Sequence, residues 1–242
     1  MAITYLSGNR IQGSTASDDW VDAHANIGVN TSTGKLDATI VDGTNSASVH
    51  DLGAGNVSDT AWVLRFEFTE VTNLGDFGWI GISSGDQSVS ATSTSQDFVG
   101  MEFGEDGNIK IQGTNGAAID GGGGVSTSFE QTTGTKYYIE IKRTAADSAN
   151  ITVRTTSHTA TGGDVRGTAT NGSGNQMVSG ISGLRYLKLT NRTQGGASSG
   201  TLTIENLYFW NGVTTAGSNA SADYSSAVWL DGKTIVTDIP AG

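Results

Sequence analysis

Trp62-Val63-Leu64-Arg65-Phe66-Glu67-Phe68-Thr69-Glu70-Val71 is the stretch that decides the fold. Trp62, Leu64, Phe66 and Phe68 recur every second residue, while Val63, Arg65, Glu67 and Thr69 take the alternate positions, which is the period of a β-strand with one buried face. Working outward, Phe98 to Phe103 and Asn108 to Gln112 are two further alternating runs joined by Gly104-Glu105-Asp106-Gly107, a turn composition that predicts a hairpin. Lys136 to Arg143, with Tyr137, Ile139 and Ile141 on one face, and Asn150 to Thr155 predict a second hairpin across Thr144 to Ala149. Strands are also expected at Ala25 to Val29, Lys35 to Val41, Gly78 to Ile82 and Leu184 to Asn191.

Composition supports an all-β reading. The chain has 35 glycines and one proline in 242 residues, with serine, threonine and asparagine abundant between the apolar runs, so turns are easy to make. A single sandwich of this length is ordinary. The net charge of −11 comes from 24 acidic against 13 scattered basic residues, which argues against nucleic acid and against an anionic membrane surface as partners. No apolar run is long enough to span a bilayer, and Met1-Ala2-Ile3-Thr4 lacks the basic start and apolar core of a signal peptide, so classical secretion is not expected. The absence of cysteine removes disulfides, thiolate catalysis and zinc–thiolate sites together.

Thr201 to Asn211 changes phase along its length: Leu202 and Ile204 are even, Leu207 and Phe209 odd. One extra residue re-aims a strand in this way, and a bulge is predicted near Glu205-Asn206. Ser84 to Ser95, Ala117 to Thr127, with Gly121 to Gly124 inside it, and Ser157 to Gly174 read as long surface loops. After a polar linker, Val228 to Val236 reads as a hairpin turning at Asp231-Gly232. A lone hairpin is marginal in water and is expected to dock, with Trp229, Leu230 and Ile235 as its contact residues, on the sandwich or on a neighbouring subunit.

Two stretches carry a family resemblance. Lys136-Tyr137-Tyr138-Ile139-Glu140-Ile141-Lys142-Arg143 with Asn150-Ile151-Thr152-Val153-Arg154, and Gly200 to Asn211, resemble the closing strands of the concanavalin A-like lectin/glucanase superfamily, the laminin-G-type jelly rolls. In the second stretch Glu205 stands where Asp is usual. Asp18-Asp19-Trp20, Ile27 to Val29 and Gly34-Lys35-Leu36 resemble the opening strands, and Ile3 to Gly13 resembles the leader of similar domains in phage and marine proteins. The resemblance implies a two-sheet antiparallel jelly-roll sandwich over residues 15–212, preceded by a leader strand in 1–14 and followed by a linker and hairpin in 213–242.

Glycoside hydrolases of that superfamily place carboxylates in an E-x-D-x-E pattern on one strand face, where acid and nucleophile flank the scissile bond. No two acidic residues lie two apart inside an expected strand; Glu102, Glu140 and Glu205 stand singly, and Glu67 and Glu70 fall on opposite faces. His24, His50 and His158 lack metal-ligand spacing and read as surface or strand-edge residues. Calcium is possible at Asp18, Asp19 and Asp22 or at Glu105-Asp106, with ordinary turn chemistry as the competing reading, and no metal site is assigned. Sugar binding requires exposed rings; Trp79, Tyr138 and Trp210 are out of phase with the buried sets of their strands or near strand ends, with core packing or a subunit interface as the alternative for each.

These observations lead to an expected non-enzymatic role: a structural and adhesion subunit of a virion or other extracellular assembly, homo-oligomeric and possessing a lectin-like face toward host glycans. A soluble carbohydrate-binding module and a diverged glycan-cleaving enzyme are the alternatives, because a shared fold does not choose among them.

Overall fold

The computed structural model describes residues 9–10, 20–22, 27–30, 35–40, 47–72, 78–104, 107–121, 123–171, 179–192, 200–216, 229–230 and 234–235. Seventeen strands are described: β1 (Asn9–Arg10), β2 (Trp20–Asp22), β3 (Ile27–Asn30), β4 (Lys35–Ile40), β5 (Ala47–Asp51), β6 (Trp62–Thr72), β7 (Gly78–Ser83), β8 (Phe98–Phe103), β9 (Asn108–Thr114), β10 (Gly123–Glu130), β11 (Lys136–Ala145), β12 (Ser148–Arg154), β13 (Val165–Asn171), β14 (Tyr186–Asn191), β15 (Gly200–Asn211), β16 (Trp229–Leu230) and β17 (Thr234–Ile235). An eight-stranded sheet runs β13-β12-β11-β6-β15-β4-β3, with β1 also on β15. A seven-stranded sheet runs β10-β9-β8-β7-β14-β5-β2. All the described pairings within both sheets are antiparallel, and the architecture is the expected all-β jelly-roll sandwich.

The core follows from the period of two. Trp62, Leu64, Phe66 and Phe68 of β6 meet Ile80, Ile82, Val99, Met101 and Phe103 of the facing sheet in one buried cluster. Each such side chain, fully removed from water, contributes about 1.5–3 kcal/mol. The predicted bulge in β15 is present: Glu205 pairs Glu67 and Tyr208 pairs Arg65, so Asn206 and Leu207 together oppose Phe66. Asn206 adopts φ +47°, a left-handed conformation that asparagine tolerates. The shift lets Leu202, Ile204, Leu207 and Phe209 all reach the core.

Three expectations need correction. The stretches 117–127 and 157–174 are not simply loops, because β10 begins at Gly123 and β13 spans Val165–Asn171 as an edge strand on β12. Their Gly- and Thr-rich composition hides the strand period, since few large apolar residues mark the inner face. β5 was also unmarked, being short and carrying Val49 as its one large apolar residue. In the C-terminal hairpin Trp229 pairs Ile235 and Leu230 pairs Thr234, which leaves residues 231–233 between them and not the two-residue turn expected at Asp231-Gly232. The side chains of Trp229, Leu230 and Ile235, and residues 217–228, which hold most of the linker, lie outside the described residues, as do most of the leader and Asp18, Asp19, His24, Glu105 and Asp106, together with the Asp22 side chain.

Candidate functional site

Alternation gives each sheet an outer face, and the two faces differ in what lies on them. On the larger sheet, β11 turns Lys136, Tyr138, Glu140 and Lys142 outward, because Tyr137, Ile139 and Ile141 are committed to the core. Register places Tyr138 between Glu67 of β6 and Arg154 of β12, and Glu140 between Arg65 and Thr152. Tyr138 is half-buried and its ring meets the edge of the His158 ring at 5.4 Å between centroids.

Glu140 is the hub of this face. Its side chain is 1% exposed and is surrounded by Arg65, whose Nε donates at 2.6 Å, Lys142 at 3.0 Å and Arg154 at 3.7 Å. Burial alone would raise its carboxyl pKa, but the charges and hydrogen bonds of Arg65 and Lys142 outweigh burial and hold it below the usual range. His158, carried on the connection after β12, is pushed down to about 3 by burial first and then by the charges of Arg65 and Arg154, against the opposing pull of Glu140. The ring is neutral at physiological pH and both its nitrogens are buried, where a surface or strand-edge histidine was expected. Toward β15, Lys136 Nζ donates to Glu67 at 2.7 Å and to Glu205 at 3.3 Å, and Asn206 Nδ2 donates to Glu67 at 2.8 Å.

The outer face of the smaller sheet is roofed. The segments 84–97 and 115–121 fold across it, and Ala91 and Ile119 close with Trp79 and Phe98 into a second small core. Gly81 and Gly100 lie side by side beneath the Phe98 ring; a Cβ on Gly100 would stand 2.4 Å from the Ile80 carbonyl oxygen and 2.4 Å from Phe98 Cζ. Only glycine permits that approach. Trp79 Nε1 donates to Gln112 Oε1 at 2.5 Å, and Lys188 Nζ donates to the Val89 carbonyl at 2.7 Å and to Gln96 Oε1 at 2.8 Å. Ser83 Oγ also donates to Gln96 Oε1, at 3.1 Å, and Gln96 Nε2 donates to the Ser90 carbonyl at 2.6 Å. Lys188 is fully buried, and burial pushes its ammonium down to about 7, with Asp86 opposing weakly. Asp97 pins the roof by accepting from Gly116 N at 2.6 Å and Ser182 N at 2.7 Å.

Of the three aromatic candidates, only Tyr138 remains at a surface. Trp79 is 2% exposed beneath the roof, and Trp210 is 2% exposed, stacked on Tyr208 at 5.8 Å with the Arg65 guanidinium 5.6 Å from its ring centroid. Both do point away from the central core, as their phase requires, but being out of phase equals exposure only where nothing covers the outer face. Arg65, Glu140, Lys142, Arg154 and His158 were not singled out as site residues; the polar alternation opposite Tyr137, Ile139 and Ile141 was the available signal. The outward positions of β8 are Phe98, Gly100 and Glu102, the last bonded to Lys110 at 2.8 Å. No cluster of three metal-ligating side chains occurs among the described residues.

No protein-family model and no curated protein matches the chain. Solved structures do. Arcelin-5, a lectin-like defense protein from Phaseolus vulgaris, aligns with a TM-score of 0.56 at 10% identity over 84% of this chain and 97% of its own. A lectin UEA-II complexed with galactose aligns at 0.54, with 12% identity, over 86% and 98%. The fold is the two-sheet antiparallel jelly-roll sandwich that these lectins share. This jelly roll is also that of the marine PL-14 alginate lyase from Aplysia kurodai, which aligns at 0.53, with 12% identity, over 87% of this chain and 100% of its own. The expectation of a non-enzymatic chain is therefore corrected: an enzyme stands among the structural neighbours of the concanavalin A-like sandwich beside the lectins, and the lack of adjacent carboxylates in one strand does not exclude catalysis.

Proposed function

We propose that this chain is a glycan-recognition module whose contact surface is the outer face of the larger sheet around Tyr138, displayed on a virion or other extracellular surface. The observation that carries the reading is the half-exposed Tyr138 ring set in register between Glu67 and Arg154, on rigid strands and among side chains already held by partners. A sugar ring stacks on such an aromatic platform while hydroxyls meet the flanking carboxylate, amide and guanidinium groups. Preorganised partners lower the ordering cost of binding. The lectin-like and galactose-bound neighbours support the same reading at the level of the fold.

A glycan panel screened with wild type and Tyr138→Ala is the test, with product release followed in parallel so that cleavage is seen if it occurs. Loss of binding with unchanged unfolding behaviour supports the assignment, and equal binding by both proteins removes it. The assembly part of the proposal rests on the C-terminal hairpin, where β16 pairs with β17 alone among the described residues. Light scattering of the full chain and of a chain ending at Gly212 tests it: an oligomer that dissociates on truncation supports Trp229, Leu230 and Ile235 as the clasp, and a monomer in both forms contradicts it.

A further inference from the structure

The outer face of the larger sheet is electrically polarised about Tyr138. On one side Arg65, Lys142 and Arg154 converge on a single carboxylate, Glu140, and three positive charges against one negative leave an excess of two. On the other side Glu67 and Glu205 share Lys136, which leaves a negative excess of one. A local positive excess in a chain of net charge −11 is a departure from its overall balance. The positive side also holds polar atoms that the protein leaves unsatisfied: Arg154 Nη1 and both ring nitrogens of His158 are buried with no hydrogen-bond partner. A buried donor without an acceptor is destabilising, and more so when charged. An anion oxygen satisfies Arg154 Nη1 and the one ring nitrogen of the neutral His158 that carries a hydrogen.

We infer that Arg154, Lys142 and Arg65, beside the rings of Tyr138 and His158, form an anion subsite that takes the sulfate or carboxylate group of an acidic polysaccharide. The inference rests on the glycan reading of this face and narrows its ligand class. A sugar ring on Tyr138 directs an acidic substituent toward Arg154, which lies across the β11–β12 ladder from it, and away from Glu67 on the opposite side. Guanidinium groups match the geometry of sulfate and carboxylate oxygens, whereas the Lys142 ammonium supplies an adjacent point charge.

The experiment compares binding of dextran, dextran sulfate and carboxymethyl-dextran to the full chain by calorimetry. The charged polymers are expected to bind about tenfold or more tighter than dextran, the scale of one charged hydrogen bond, with the preference shrinking as salt is raised. Lys142→Ala and Arg154→Gln are expected to remove most of that preference. Arg185→Gln, the same change of charge on the connection before β14, is expected to leave it intact, and Tyr138→Ala to weaken all three ligands alike. Retention of the full preference by Lys142→Ala and Arg154→Gln overturns the anion subsite. Equal affinity of wild type for neutral and charged polymers, still lost in Tyr138→Ala, also overturns it while leaving glycan recognition standing. Binding to none of the three polymers and to nothing on a glycan panel removes both.

Discussion

The two outer faces are built on the same alternation and have opposite fates. On the smaller sheet, Trp79, Gln112 and Lys188 point outward, yet the roof of 84–97 and 115–121 turns that face into a second interior, with a buried amine bonded to a carbonyl and an amide oxygen. On the larger sheet, Tyr138, Lys136 and Lys142 stay in partial contact with water, and the charges pair laterally along the surface. Covering loops decide whether an outward side chain supports the fold or meets a ligand. Phase along the strand decides only which way it points.

The largest expected effect lies under the roof. Gly100→Val puts a Cβ against the backbone of β7, where no side-chain rotation relieves it, and is expected to cost about 3 kcal/mol or to abolish folding. A urea midpoint within error of wild type contradicts the close approach. Trp79→Ala should cost roughly 3–5 kcal/mol as a core truncation. The matching change on the open face, Tyr138→Ala, should cost about 1 kcal/mol, the centre of the range for single substitutions. Comparable losses for the two erase the contrast between the faces.

Protonation separates the faces further. Lys188 has a folded pKa of about 7 against an ordinary 10.5, so between these values the unfolded chain binds a proton that the folded chain does not. The penalty is fully present below about 7 and is relieved as pH rises toward 10.5, with a slope of at most about 1.4 kcal/mol per pH unit. Lys188→Met should flatten that rise. His158, depressed from 6.5 to about 3, works in the acid window: stability is whole above 6.5 and is lost as pH falls toward 3. Glu140, with its carboxyl lowered, adds to the same acid loss. His158→Phe should reduce the acid sensitivity and leave the alkaline limb unchanged; melting curves across pH read both effects.

The sandwich was legible because β6, β8, β9, β11 and β12 carry large apolar residues at strict alternate positions, and the phase change from Ile204 to Leu207 announced the bulge. β10 and β13 were not legible, because glycine and threonine line them and their inner faces are completed by other strands, as where a Cβ on Gly167 would stand 2.8 Å from Thr127 Cβ. At the candidate site, Tyr138 was readable from phase alone. Arg154 and His158 reach it through strand pairing and a folded-back connection, which are long-range facts that one strand's pattern does not contain. The roof over Trp79 was hidden for the same reason: Ala91 and Ile119 are single apolar residues in polar stretches, and what they cover is set by tertiary packing.

The most direct measurement is a map of backbone amide shifts on the full chain titrated with the tightest-binding glycan. Perturbations centred on Arg65, Tyr138, Glu140 and Arg154 are the result expected if the open face is the recognition surface. Perturbations centred instead on Trp79, Gly100, Glu102 and Gln112, accompanied by shifts throughout 84–97, would mean that the roof opens to ligand and that the open face is not the site.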